Sequence, residues 1–84
     1  MKVVFVGHLK KLFGGEEIKL DEDSTDISNF LVHLINLRED KKVSVNRQNT
    51  LFFVNGIEIS ALEDLETKLK GNDIITLVPI THGD

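Results

Sequence analysis

One stripe of apolar residues limits what this chain can become. Ile27, Phe30, Leu31, Leu34 and Ile35 recur at i, i+3, i+4, i+7 and i+8, which puts them on one face of a helix. Elsewhere the apolar runs are short, β-branched or aromatic, and bounded by turn residues, as strands are. A helix with one apolar face needs a second layer to cover it, and the strands supply that layer.

The runs can be placed in order. Val3 to Val6 breaks at Gly7 and resumes as Glu17 to Leu20 after Gly14-Gly15, which reads as a hairpin with a long loop. Within that loop Leu9, Leu12 and Phe13 are spaced for a helical turn folded back over the sheet. Asp23 or Ser24 is expected to cap the main helix, with Asp26 in its first turn, at the positive end of the helix dipole. The helix is expected to fade between Leu37 and Asp40, and "REDKKVSVNRQN" then reads as a polar connection. Thr50 to Val54, the turn Asn55-Gly56 and a short return strand follow. "SALEDLETKLKGND" reads as a short helical turn or irregular link. Asp73 to Val78 reads as a central strand that Pro79, lacking an amide hydrogen, helps to end.

This order describes a two-layer α+β domain. The arrangement that satisfies it is the β-grasp, ubiquitin-like, with a mixed sheet of about four to five strands packed on one main helix. Its first and last strands are expected to be central parallel neighbours. Residues 1–78 would form the domain, and residues 79–84 a flexible C-terminal tail.

Size and composition narrow the function. A chain of 84 residues buries roughly 60–65% of its unfolded surface, enough for one core and no separate catalytic domain. At 40% hydrophobic and 29% charged it suits an ordinary soluble globule. A net charge of −4 argues against binding a nucleic-acid backbone, and Lys10, Lys11, Lys41 and Lys42 form only local pairs, read as solvated surface. No apolar run is long enough to cross a bilayer and no signal peptide is evident, so a cytoplasmic location without membrane attachment is expected. With no cysteine, any sulfur chemistry must use sulfur that belongs to no side chain.

Side-chain chemistry is sparse. His8, His33 and His82 are scattered and lack metal-site spacing, so no metal is expected. Ser24, Ser28, Ser44 and Ser60 have no adjacent base pattern, and no catalytic residue is assigned. By strand alternation Val4 and Val6 lie on the face opposite Val3 and Phe5, beside Thr76 and Val78 if the last strand is their neighbour. That face reads either as a docking patch for a partner or as packing under loops.

Four stretches carry a resemblance. "KVVFVGHLKKLFGG", "FFVNGIEI", "LKGNDIITLVPI" and the closing "THGD" resemble, in order and spacing, the ubiquitin-like sulfur carriers, over nearly the whole chain. Within that group the chain is most similar to the ubiquitin-related modifier that supplies sulfur for tRNA thiolation. The molybdopterin-synthase small subunit comes next, then the thiamine-pathway sulfur carrier.

The resemblance implies a carrier and protein modifier. An E1-like adenylyltransferase would activate its C-terminal carboxylate with ATP and magnesium, and the chain itself would bind no cofactor. A sulfur donor, a rhodanese or desulfurase, would make the thiocarboxylate, which passes to a sulfur acceptor enzyme or gives way to conjugation with target-protein lysines. Gly83 and Asp84 would be the activated end, and Thr81 and His82 would thread the partner's channel, where residues without a Cβ pass most easily.

One position departs from the family pattern, which ends Gly-Gly where this chain ends Gly83-Asp84. A second carboxylate beside the reacting one adds a like charge near ATP phosphates, and two charges about 4 Å apart repel by roughly 4 kcal/mol at an effective dielectric of about 20. The β-carboxylate can also attack the activated carbonyl and close a cyclic anhydride, since effective molarities of intramolecular groups reach about 10⁵ M. Three explanations stand: an introduced end in place of glycine, removal that exposes Gly83, or divergence with loss of the chemistry. The last leaves the alternative of a non-conjugating ubiquitin-like interaction module that uses its sheet face alone.

Overall fold

The computed structural model describes residues 1–21, 24–37 and 45–80. Along the chain these form β1 (Lys2–Phe5), α1 (Leu9–Phe13), β2 (Glu17–Lys19), β3 (Ser24–Asp26), α2 (Ile27–Leu37), β4 (Thr50–Val54) and β5 (Ile57–Glu58). Two 3-10 turns, Ile59–Ala61 and Asp64–Glu66, lead to β6 (Lys68–Lys70) and β7 (Ile74–Pro79). The main sheet has five strands in the order β2-β1-β7-β4-β5. β1 and β7 run parallel at its centre and the other pairings are antiparallel. The fold is the expected β-grasp, a two-layer α+β domain.

Strand alternation builds the core. Val3 sits opposite Ile75 and Phe5 opposite Leu77, while on the other side Phe52 faces Leu77 and Val54 faces Ile75. These inward residues share one cluster with Ile27, Phe30 and Leu34 of α2. Burying each large side chain stabilises the fold by about 1.5–3 kcal/mol. The helical turn expected between the first two strands is α1; its Leu9 is buried and its Phe13 stacks on Phe5, with ring centroids 4.5 Å apart and planes within 8°.

The Asn55-Gly56 turn takes the predicted form, with φ of 51° and 86°. Asn55 also ties β4 to the start of β7. Its backbone N–H donates to the Ile74 carbonyl at 2.8 Å, its Nδ2 donates to Asp73 Oδ1 at 3.0 Å, and its Oδ1 accepts from the Ile74 N–H at 3.0 Å. Asp73 Oδ2 in turn accepts the Lys70 N–H at 2.8 Å.

Three expectations need correction. The main helix starts at Ile27, and its cap is Asp26, whose Oδ1 accepts the Asn29 N–H at 2.9 Å. Ser24 lies in a strand instead, and Asp23 is outside the described residues. The link after β5, expected as a short helical turn or irregular segment, holds the two 3-10 turns and also an unexpected strand, because Lys68–Lys70 pairs antiparallel with Ser24–Asp26, Leu69 opposite Thr25. Finally, the last strand continues through Pro79, opposite Thr50, instead of ending at Val78. The expected fading of α2 past Leu37 falls on residues outside those described.

The amino terminus is part of the structure as well. Met1 is buried, and its ammonium donates to the Leu20 carbonyl at 2.8 Å and to the Gly71 carbonyl at 2.7 Å. No helix among the described residues is long and apolar enough to cross a membrane.

Candidate functional site

Among the described residues no second layer covers the outer face of the main sheet. Val4 pairs with Thr76, Leu51 with Val78 and Phe53 with Thr76, so these side chains form a continuous band across β1, β7 and β4. All five are half-buried by their neighbours, and Val6 at the end of the band is 39% exposed. The expected grouping of Val4, Val6, Thr76 and Val78 is therefore present. Sequence reading had missed Leu51 and Phe53, although the strict alternation of Thr50–Val54 was enough to place them outward once β4 became a neighbour of β7.

The last described residues lie at the end of that band. Val6 N–H donates to the Leu77 carbonyl at 3.1 Å, which carries the β1–β7 contact one residue past β1. Pro79 has no N–H to give, but the next residue does: Ile80 N–H donates to the Asn49 carbonyl at 2.9 Å. Of the tail expected at residues 79–84, Pro79 and Ile80 are thus held on the sheet, and Thr81, His82, Gly83 and Asp84 lie outside the described residues.

Asn49 belongs to a tight polar turn just before β4. Asn46 N–H donates to Asn49 Oδ1 at 3.0 Å, and Asn46 Oδ1 accepts from Gln48 N–H at 2.9 Å and Asn49 N–H at 3.1 Å. Asn side chains favour such turns because they reach their own neighbouring backbone. The buried Thr50 hydroxyl donates to Asn49 Oδ1 at 2.8 Å. Arg47, inside the turn, forks onto Asp64 with both bonds at 2.9 Å and stands 3.6 Å from Glu58. This pairing raises the Arg47 pKa, chiefly through the Asp64 hydrogen bond. It also lowers that of Asp64, chiefly through the same bond. The Glu58 pKa is lowered first by the Ser60 hydroxyl and further by Arg47.

Other candidates stay apart. His8 precedes α1, and both it and His33 are exposed. Among the described residues no group of His, Cys, Asp or Glu is arranged to hold a metal ion.

A parallel β1–β7 core pair and a last strand that ends beside a half-buried apolar sheet face are features shared with known proteins. The ThiS family model matches residues 3–83. The chain belongs to the ThiS family. Its members are small ubiquitin-like sulfur-carrier and modifier proteins. Solved structures agree with this ThiS-family assignment. Small archaeal modifier protein 1 from Methanosarcina acetivorans has 25% identity and a TM-score of 0.78, over 99% of this chain and 94% of that one. Sulfolobus solfataricus Urm1 has 26% identity and a TM-score of 0.66, over 95% and 100%. A putative molybdopterin converting factor subunit 1 from Pyrococcus furiosus shares the ThiS-like fold at 22% identity and a TM-score of 0.73, over 95% of each chain. No curated protein matches the sequence.

Proposed function

We propose that this chain is a sulfur carrier and protein modifier that works through its C-terminus. The observation that carries the reading is that β7, held on both sides by β1 and β4, ends beside the half-buried apolar band. An E1-like activating enzyme docks on Val4, Val6, Thr76 and Val78 and receives Thr81 and His82 in its channel. Its ATP and magnesium activate the terminal carboxylate, which attacks the α-phosphorus and expels pyrophosphate. A persulfide on a rhodanese or desulfurase then displaces AMP to give an acyl disulfide. A thiol of the donor or of the activating enzyme attacks the donor sulfur of that bond, taking up the disulfide and releasing a thiocarboxylate for tRNA thiolation or cofactor sulfuration. Attack by a target lysine instead gives an amide.

The chain's own residues dock, orient and deliver. A carboxylate with a pKa of about 3.5 is ionised at neutral pH and is a poor electrophile, so the activation must come from the partner.

Intact-mass measurement tests the reading. The protein is incubated with its cognate activating enzyme, ATP, magnesium and a sulfur donor, in parallel with Asp84→Gly. The expected result is the mass gain of sulfur replacing oxygen. No gain in either chain overturns the carrier reading, and a gain confined to Asp84→Gly assigns the block to Asp84. One observation favours the second reading, an interaction module using the sheet face alone: Asp84 stands where activation needs a single carboxylate.

A further inference from the structure

Two features flank the end of β7. On the β1 side, Gly7 has a φ of +64° and comes so close to β7 that a Cβ built on it would stand 3.2 Å from Pro79 Cγ. A side chain there meets both backbone strain and the proline ring. On the β4 side, the Asn46–Asn49 turn presents the carbonyl that takes the Ile80 N–H. That turn is over-determined: reciprocal Asn46–Asn49 bonds close it and the Arg47 fork on Asp64 clamps it to the 3-10 segment.

The geometry points to a collar around the root of the tail, in which Gly7 and the Asn46–Asn49 turn are positioning residues that set where and in which direction the chain end leaves the sheet. This inference rests on the carrier reading and adds the device that makes delivery possible. Pro79 is the reason a collar is needed. Its missing N–H removes a ladder bond next to the exit, so the strand would fray there. On the β1 side, where the proline has no N–H to give, Gly7 leaves room for its ring, and on the β4 side the Ile80–Asn49 bond continues the ladder past it. A shift of Pro79 or Ile80 at this root changes where the residues that follow are presented to the activating enzyme.

The test uses the full chain and Asn46→Ala, Asn46→Asp and Gly7→Ala, each also with Asp84→Gly. Asn46→Ala removes the oxygen that accepts from Gln48 and Asn49, and Asn46→Asp keeps it. Two readouts are taken: amide hydrogen exchange at Ile80 relative to Leu77, and thiocarboxylate formation split into kcat and KM for the carrier. For Asn46→Ala and Gly7→Ala, Ile80 exchange is expected to accelerate about 10-fold relative to Leu77. The kcat is expected to fall about 10-fold with KM within about twofold, because the sheet face still docks. Asn46→Asp is expected to restore both. Unchanged kcat in Asn46→Ala and Gly7→Ala overturns the collar while leaving the carrier reading intact. A kcat loss without faster Ile80 exchange overturns it too. If the parent chains themselves gain no mass, the carrier reading falls and the delivery role falls with it.

Discussion

The two faces of the main sheet are made by the same strands and differ sharply in burial. On the inner face Phe5, Phe52, Ile75 and Leu77 are at most 1% exposed and lie under α2. One residue away along each strand, Val4, Phe53, Thr76 and Val78 remain half-buried, with no layer over them among the described residues. The difference teaches that the pleat itself separates the residues that hold the core from those left for the proposed docking. A substitution's effect should therefore depend on the parity of its position more than on its distance from the tail.

The largest effect tests the inner face. Phe52→Ala should lower unfolding free energy by about 3–5 kcal/mol in chemical denaturation, through lost burial and the cavity left behind. A loss below about 1 kcal/mol would mean that the two faces are not energetically distinct. Next comes the outer face, where Thr76→Arg should leave stability within about 0.5 kcal/mol. With the activating enzyme the same variant should raise KM about 10-fold or more, since a charge then sits in the middle of the docking band. Equal effects on folding and on KM would erase the contrast.

A third variant examines the support of the inner face. Asp26→Ala removes the cap of α2 and should cost about 1 kcal/mol, measured as a shift in the denaturation midpoint without change in slope. The smallest effect depends on pH. Asp64 and Glu58 have lowered pKa values beside Arg47, so the stability they contribute is present at neutral pH and is lost as pH falls through their folded values, below the ordinary carboxylate range. The difference in thermal midpoint between the parent and Arg47→Ala should accordingly narrow on acidification, while the apolar inner face gives Phe52→Ala no such trend. A gap that persists into strong acid would show that Arg47 acts through packing alone.

Much of this was legible from local pattern. The 3.6-residue stripe of α2, the alternation of β4 and the Asn55-Gly56 turn are all set by neighbours in sequence, and the parallel pairing of β1 with β7 followed from their order. What stayed hidden depends on distant partners. Ser24–Thr25–Asp26 has the composition of a helix start, and it becomes a strand only because Lys68–Lys70 comes alongside. Asn46 to Asn49 looked like more of a polar connection, since nothing local says that its carbonyl meets Ile80 or that Arg47 reaches Asp64. Gly7 read as a strand break, which it is; its closeness to Pro79 required the fold. The activated end at Gly83 and Asp84 was chosen by resemblance, and the described residues stop just before it.

The buried ammonium of Met1 has a practical consequence for anyone handling this protein. Acetylation, or fusion of a reporter ahead of it, turns that nitrogen into an amide with a single hydrogen, and one of the Leu20 and Gly71 carbonyls is left without its donor. Labels are better attached at an exposed side chain such as Val32 on α2, which takes no part in those bonds.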